Sequence, residues 1–522
     1  MNKIFIYDTT LRDGTQAEGI SLTVNDKRKI ALKLDEIGVH YIEGGWPGSN
    51  PKDKEFFKLM QGVKLKNARL AAFSSTRRAG MKAKDDPNFK ELVDAKTPVI
   101  CLFGKTWDLH VRDVLRVSPE ENLEIIKDSV SFLKTKKREV VFDAEHFFDG
   151  YKNNSDYALA AIKAADNAGA DVIVLCDTNG GSLPEEISGI IAEIKDRIKA
   201  PLGIHSHNDM DLAVANSLAA VDAGCVQVQG TFNGFGERCG NADLSTIIGI
   251  LSSKLGYKTI PDAKLKDMKE AAFFISEVAN LPIQDFHPFI GHSAFAHKAG
   301  VHIDAILKNP LAYEHLKPET FGNHRRFITS ELAGKMPIVQ KAEQLAVKID
   351  KKSPQAKELL KALQQKELEG YQFEGADASF ELFMKKHLKK YVPFFKLEGF
   401  RVHTERAANE SAWAEATIHI EVKGKKRFSA ADSVGPVEAL DKALRKALVQ
   451  SYPALEHMHL TDYKVRVLDT KDGTAAKVRV LIESQDEHDT WTTVGVHENI
   501  IEASWEALVD SVEYKLLKDS KK

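Results

Sequence analysis

Cysteine is scarce in this chain: four thiols in 522 residues, at Cys101, Cys176, Cys225 and Cys239. None forms a CxxC pair and three fall inside apolar, strand-like runs. A disulfide framework is thus poorly supported, and buried free thiols in a reducing, cytoplasmic compartment are expected. Long hydrophobic runs are missing as well; nothing approaches the roughly 20 apolar residues that a membrane-crossing helix needs. The opening MNKIFIYDTTLRDG has neither an extended apolar segment nor a small-residue cleavage site, so no secretory leader is expected. Neither charge sign is in excess. The 73 Lys+Arg stand against 75 Asp+Glu, a formal net charge of -2, which offers no footprint for a nucleic-acid backbone. What is present is 43% hydrophobic and 28% charged residues, enough apolar material for sizeable cores in a chain too long for one ordinary domain.

The first 250 residues repeat one pattern, a short β-branched run, a turn, then a segment of helical period. The strand-like runs are Ile4–Tyr7, Tyr41–Gly44, Leu70–Phe73, Val99–Phe103, Val140–Phe142, Val172–Leu175, Leu202–His205 and Val226–Gln229. Amphipathic segments lie between them, among them 25–37, 120–133, 157–168, 183–198 and 212–223, and Ala-Gly pairs at 168–169 and 223–224 read as helix stops. Eight such units predict an α/β fold with parallel strands, a (β/α)8 TIM barrel, with an open doubly wound sheet as the alternative. The expected division is a catalytic barrel over 1–260, helical linker subdomains over 261–390 and a C-terminal α+β domain over 391–522. In the linker, Ser353-Pro354 reads as the N-cap and first residue of a helix running to Gly370. In the last domain a shift of 60 residues superposes Val434-Gly435 on Val494-Gly495 and Ala443 on Ala503, which predicts an internal repeat.

Barrel enzymes work at the carboxyl ends of their strands, so the polar residues there are the candidates. Arg12 and Asp13 follow strand one. His205-Ser206-His207 ends strand seven, and residues i and i+2 of a strand point to one side roughly 7 Å apart. Taken alone, such a pair is more readily a hydrogen-bonded strand end without metal. A carboxylate two strands away around a closed barrel favours a shared ion. The loop Asn233–Asp243 after strand eight is rich in glycine, so Asn241 can offer its carbonyl oxygen to the same ion, unless the loop is an ordinary glycine turn. Cys239 is the other metal-facing candidate, although a thiolate suits a closed structural site better.

Leu-Arg-Asp-Gly-x-Gln at 11–16, His-x-His-Asn-Asp at 205–209 and Gly-Glu-Arg-x-Gly-Asn at 236–241 together resemble the acyl-CoA condensing enzymes of the 2-isopropylmalate synthase family, which takes in homocitrate and citramalate synthases. The segment Glu43–Asp53, EGGWPGSNPKD, resembles the citramalate-forming branch. The resemblance implies a divalent metal (Mn, Zn or Mg) on Asp13, His205, His207 and Asn241, chelating a 2-oxo acid. It also implies an Arg12 that stabilises developing negative charge, for which a salt bridge across the barrel mouth is the competing reading. Thr178 is expected on the oxo-acid carboxylate, unless it merely caps a helix or a turn. Glu145 is expected as a catalytic carboxylate, with Asp143 standing where relatives often have a small polar residue. His302 is implied as the base that removes the acetyl methyl proton, paired with Glu145 or Asp304, and Tyr313 as its companion.

The implied reaction is Claisen-type condensation of acetyl-CoA with pyruvate to (R)-citramalate in isoleucine biosynthesis. Isoleucine is the expected inhibitor, acting through the C-terminal domain of a homodimer. Trp46, Phe73 and Trp107 are candidates for filling a pocket sized for pyruvate, and the stretch Phe289–His292 for touching CoA. The alternatives are a 2-isopropylmalate synthase using 2-oxoisovalerate, or a metal-dependent barrel lyase or hydrolase.

Overall fold

The computed structural model describes residues 3–328, 354–373, 376–388, 391–406, 408, 411–468 and 476–520. They form two compact units, Met1–Phe295 with His315–Arg325, and Ala296–Glu314 with Arg326–Lys522.

The first unit is built on a closed barrel of eight parallel strands in sequence order. They are β1 (Phe5–Asp8), β2 (Tyr41–Glu43), β3 (Arg69–Ser75), β4 (Val99–Lys105), β5 (Glu139–Glu145), β6 (Val172–Asp177), β7 (Leu202–Ser206) and β8 (Gln227–Gly230). Closure comes from β1 pairing with β8, Tyr7 opposite Gln229 and Asp8 opposite Gly230. The near-continuous apolar runs follow from burial on both faces. Tyr7, Cys101, Val141 and Val174 belong to a cluster inside the barrel. Their neighbours Ile6, Ile100, Phe142 and Ile173 belong to the layer beneath the helices. That alternation fixes which residues at the carboxyl ends face inward. Glu43 is in phase with Tyr41, Asp143 with Val141, Cys176 with Val174 and Gln229 with Gln227.

The intervening helices start and stop where their sequence signals lie. Thr23 and Asp26 form a capping box at the head of the helix Val24–Ile37. Gly38, Gly169 and Gly224 take positive φ at helix ends. The alternative of a doubly wound sheet is excluded by the β1–β8 pairing. After β8 the chain remains part of this unit, because Met268, Ala271, Ala272 and Ile275 of the helix Met268–Ala279 enter the same core as the barrel's outer face.

The second unit contains a helix over Pro354–Leu368; its expected cap Ser353 lies outside the described residues. The helix Asp377–His387 follows, and after it come two copies of one motif. Strands Phe395–Glu405, Trp413–Val422 and Lys425–Ser433 form an antiparallel sheet followed by the helix Pro436–Leu448. Strands His459–Val467, Val478–Gln485 and Thr490–His497 form another, followed by the helix Ile500–Asp519. In Trp413–Val422, Ala414, Ala416, Ile418 and Ile420 are buried in alternation, so one sheet face packs on the helices. The repeat is real, but its sequence register was wrong. The helices begin at 436 and 500, a spacing of 64 rather than 60. Gly435 is a helix N-cap, whereas Gly495 lies inside a strand. A Val-Gly pair recurs too easily to mark equivalent positions. No helix among the described residues is long and apolar enough to cross a membrane.

The two glycines should therefore respond differently to a methyl group. A Cβ on Gly495 would lie 2.0 Å from the Ala503 carbonyl oxygen, while one on Gly435 meets nothing within 4 Å. Gly495→Ala is expected to destabilise the second unit by about 1–3 kcal/mol, and Gly435→Ala by less than about 0.5 kcal/mol, as read from chemical denaturation midpoints.

Candidate metal centre

Asp13 leaves the end of β1 in a turn organised by Asp8, whose carboxylate accepts from the Thr10 amide (2.9 Å) and hydroxyl (3.0 Å). His205 lies on β7 and His207 just beyond it. One ligand atom from each of Asp13, His205 and His207 falls within 4.8 Å of the others, and all three side chains are buried. His205 Nε2 stands 3.4 Å from Asp13 Oδ2 and 3.2 Å from His207 Nε2. Asn241 is brought alongside by a bridge to His207. Its loop is held by glycine. Gly236 has φ +158, and a Cβ there would sit 2.2 Å from Asn241 Nδ2. Gly240 has φ +91, with a Cβ 2.1 Å from the Gly234 carbonyl oxygen.

These residues fit a divalent cation. Asp13 Oδ1 and Asn241 Oδ1 are buried without a hydrogen-bond partner among the described residues, a costly condition for polar atoms unless something else engages them. Two imidazole nitrogens and two oxygens suit zinc or manganese well and magnesium less closely. Burial would raise the Asp13 carboxyl, but Arg12 and the bond from His205 hold it well below the usual carboxylate range. Burial works against a charged His205, yet the hydrogen bond and charge of Asp13 prevail and raise its pKa. Burial and the neighbouring His205 push His207 down to about 3.

Arg12 is held on three sides. Its Nη1 is 3.1 Å from Asp13 Oδ2, its Nε donates to Glu43 Oε1 at 2.5 Å, and its guanidinium lies 3.8 Å above the Phe73 ring. The other Glu43 oxygen accepts from the Tyr7 hydroxyl at 2.7 Å. The salt bridge foreseen as the competing reading is thus formed, and it fixes the guanidinium beside the ligand cluster. A cavity of about 510 Å3 opens here, lined by Arg12, Asp13, His205, His207, Glu145 and Thr178. Thr178 Oγ1 accepts from the His146 amide at 2.9 Å, which leaves its hydroxyl proton for another partner.

The cavity's aromatic wall is Trp46, Phe73 and Phe103, with Phe73 and Phe103 stacked at 5.3 Å. Trp46 is set by a buried clamp. Asp53 accepts from the Trp46 amide at 2.9 Å and is ion-paired with Lys27, which also donates to the Gly44 carbonyl at 3.0 Å.

Several expectations are corrected. Trp107 stacks on His110 at 5.3 Å and does not line the cavity; Phe103 takes its place. Cys239 is exposed and outside the ligand cluster. Within the stretch Phe289–His292, Phe289 and Ile290 are buried core residues, and His292 is the exposed one. Glu145 is ion-paired with Lys105, and Asp304 with Lys308. His302 and Tyr313 belong to the second unit, where their rings stack at 4.1 Å. Sequence reasoning passed over Glu43, Lys105 and Gln229. Glu43 and Lys105 are polar residues at inward-facing positions of strands whose other inward positions are apolar, and that parity was the available signal; Gln229 shares its inward face with Gln227, also polar, and gave no such contrast.

Mixed oxygen and imidazole donors opening on a cavity at the carboxyl face of a closed barrel define the class, a metal-dependent (β/α)8 enzyme. The family profiles agree: HMGL-like over residues 3–275, homocitrate synthase post-HMGL domain-like over 289–368, and LeuA allosteric (dimerisation) domain over 374–516. The chain is 55% identical to the (R)-citramalate synthase of Geobacter sulfurreducens and 52% identical to that of Aquifex aeolicus, in each case over 99% of this chain and 98% of the relative. The 2-isopropylmalate synthase of Methanocaldococcus jannaschii is more distant, 34% identical over 100% of this chain and 96% of the relative. The chain belongs to the citramalate synthase branch of the 2-isopropylmalate synthase family.

Asp13→Ala and His207→Ala should each lower bound Mn2+ or Zn2+ from about one ion per chain to near none by equilibrium dialysis with elemental analysis, whereas Cys239→Ser should leave it unchanged.

Proposed function

We propose that this chain joins acetyl-CoA to pyruvate, giving (R)-citramalate and free CoA as a step of isoleucine biosynthesis. The observation that carries the reading is the Asp13, His205 and His207 cluster, with Arg12 fixed beside it, in a chain about half identical to curated (R)-citramalate synthases. A divalent metal on Asp13, His205, His207 and Asn241 would supply Lewis-acid polarisation of the keto group and take up alkoxide charge.

The other roles fall to side chains. Arg12 cannot swing away, because Glu43 and Phe73 hold it, so its charge is aimed before the reaction at the oxygen that turns negative. The Thr178 hydroxyl, already accepting from His146, donates a hydrogen bond to the oxo-acid carboxylate. Glu145 is a catalytic carboxylate on the cavity wall, steadied by Lys105.

A thioester methyl group is weakly acidic and needs a positioned base. His302 takes that proton, with Tyr313 stacked against its ring. The resulting carbon nucleophile bonds to the keto carbon, and water then cleaves the thioester to release CoA. Trp46, Phe73 and Phe103 offer an apolar wall for the methyl group of pyruvate. The residues matching the LeuA allosteric (dimerisation) domain support a homodimer inhibited by isoleucine. Three buried free thiols support a reducing, cytoplasmic setting.

Thiol release from acetyl-CoA should depend on the added 2-oxo acid and be fastest with pyruvate, ahead of 2-oxoisovalerate and 2-oxoglutarate, and isoleucine should suppress it. A faster rate with 2-oxoisovalerate would point instead to the 2-isopropylmalate reaction. Separately, His302→Ala should retain metal and pyruvate binding but lose exchange of the acetyl methyl protons with solvent deuterium, followed by NMR; undiminished exchange would remove His302 as the base.

A further inference from the structure

Behind the ligand cluster runs a second line of polar side chains inside the barrel. His205 Nδ1 meets Gln229 Oε1 at 3.0 Å, and the same amide donates from Nε2 to Asp143 Oδ1 at 2.9 Å. Gln229 sits opposite His205 in the β7–β8 register. It is fully buried, and Asp143 is nearly so.

An imidazole ligates through Nε2 only when that nitrogen carries a lone pair, which places the ring's single neutral-state proton on Nδ1. A glutamine amide can face Nδ1 with either end. Its carbonyl requires the Nδ1 proton; its NH2 requires a lone pair there and moves the proton to Nε2, where it blocks a metal. An ionised carboxylate can only accept, so Asp143 draws the NH2 end toward itself and turns the carbonyl toward His205. Burial sharpens the choice, since the flipped amide would set two acceptors against each other with no water to separate them.

We propose that Asp143 and Gln229 act as a positioning pair, fixing the tautomer of His205 that exposes Nε2 and thereby setting the affinity of the centre for its divalent cation. The pair stands outside the ligand cluster, although Asp143 also lines the cavity. It acts through the hydrogen bond to a ligand, as outer-shell partners of metal-bound histidines do. The assignment concerns affinity alone, so a parent that binds metal without condensing acetyl-CoA would sink the proposed reaction and leave the pair standing.

The test compares dissociation constants for Mn2+ and Zn2+, measured on the full chain by chelator competition. Gln229→Met keeps the side-chain length and removes the acceptor, and should weaken binding about 10–100-fold. Gln229→Glu combined with Asp143→Asn exchanges donor and acceptor between the two positions while keeping an acceptor on His205. That double variant should recover affinity to within about threefold of the parent, a rescue that a purely structural role would not produce. Parental affinity in Gln229→Met, or a double variant as weak as Gln229→Met, overturns the proposal. Should Gln229→Met fail to fold, judged by its thermal transition without metal, Asp143→Leu takes its place: removing the acceptor that orients the amide should weaken binding by a similar factor, and parental affinity overturns the proposal. A parent that binds neither metal also overturns it.

Discussion

A buried carboxylate facing two buried imidazoles is the constraint on which this site depends. Asp13 cannot remain ionised inside the barrel without compensation, and Arg12 and His205 provide it at 3.1 and 3.4 Å. Arg12 in turn needs Glu43, and Glu43 is completed by Tyr7. Charge balance thus propagates from β1 to β2 and, through His205, to β7. The chain of pairings leaves an unpartnered oxygen on Asp13 and another on Asn241 directed at no protein donor among the described residues. That remainder of unmet acceptor capacity, more than any single distance, is what suits the cluster to a cation rather than to a plain hydrogen-bonded strand end.

Much of the fold was legible because its physical signals are local. Alternation of β-branched runs with amphipathic segments, punctuated by Ala-Gly stops, gives the eight strands within a few residues of their observed limits. The ligand candidates were legible for a related reason, since packing alone seldom places a polar residue at the end of an apolar strand. Glu43, Lys105 and Gln229 escaped because each looks ordinary in one dimension. Their meaning comes from parity within a strand together with the neighbour across it, and neighbours are set by closure of the barrel. Trp107 failed in the opposite direction. It lies two residues beyond β4, where period-two reasoning no longer applies, and it turned toward His110.

The C-terminal repeat carries a similar lesson. Its existence follows from strand and helix patterning, but its register does not, because a few matches at one spacing (Val434-Gly435 with Val494-Gly495, Glu438 with Glu498, Leu440 with Ile500, Ala443 with Ala503) arise easily by chance. Gly435 serves a helix start and Gly495 a close approach of strand to helix. Identical letters at a fixed spacing are weak evidence of equivalence when each can be demanded by a different local geometry.

The Lys27–Asp53 clamp beneath Trp46 bears on how this active-site wall could change over evolutionary time. Gly44 and Trp46 are stapled through their backbones to a buried ion pair, and a Cβ on Gly45 would strike the Asp53 carboxylate at 2.3 Å. The main chain there has almost no latitude, so drift in the accepted oxo acid is channelled into side-chain replacements on a fixed frame. Trimming the indole enlarges the chamber, whereas loosening the staple frees the backbone at Gly44 and Trp46. Diversification of substrate range in this barrel is therefore a matter of upholstery, with the carpentry left alone.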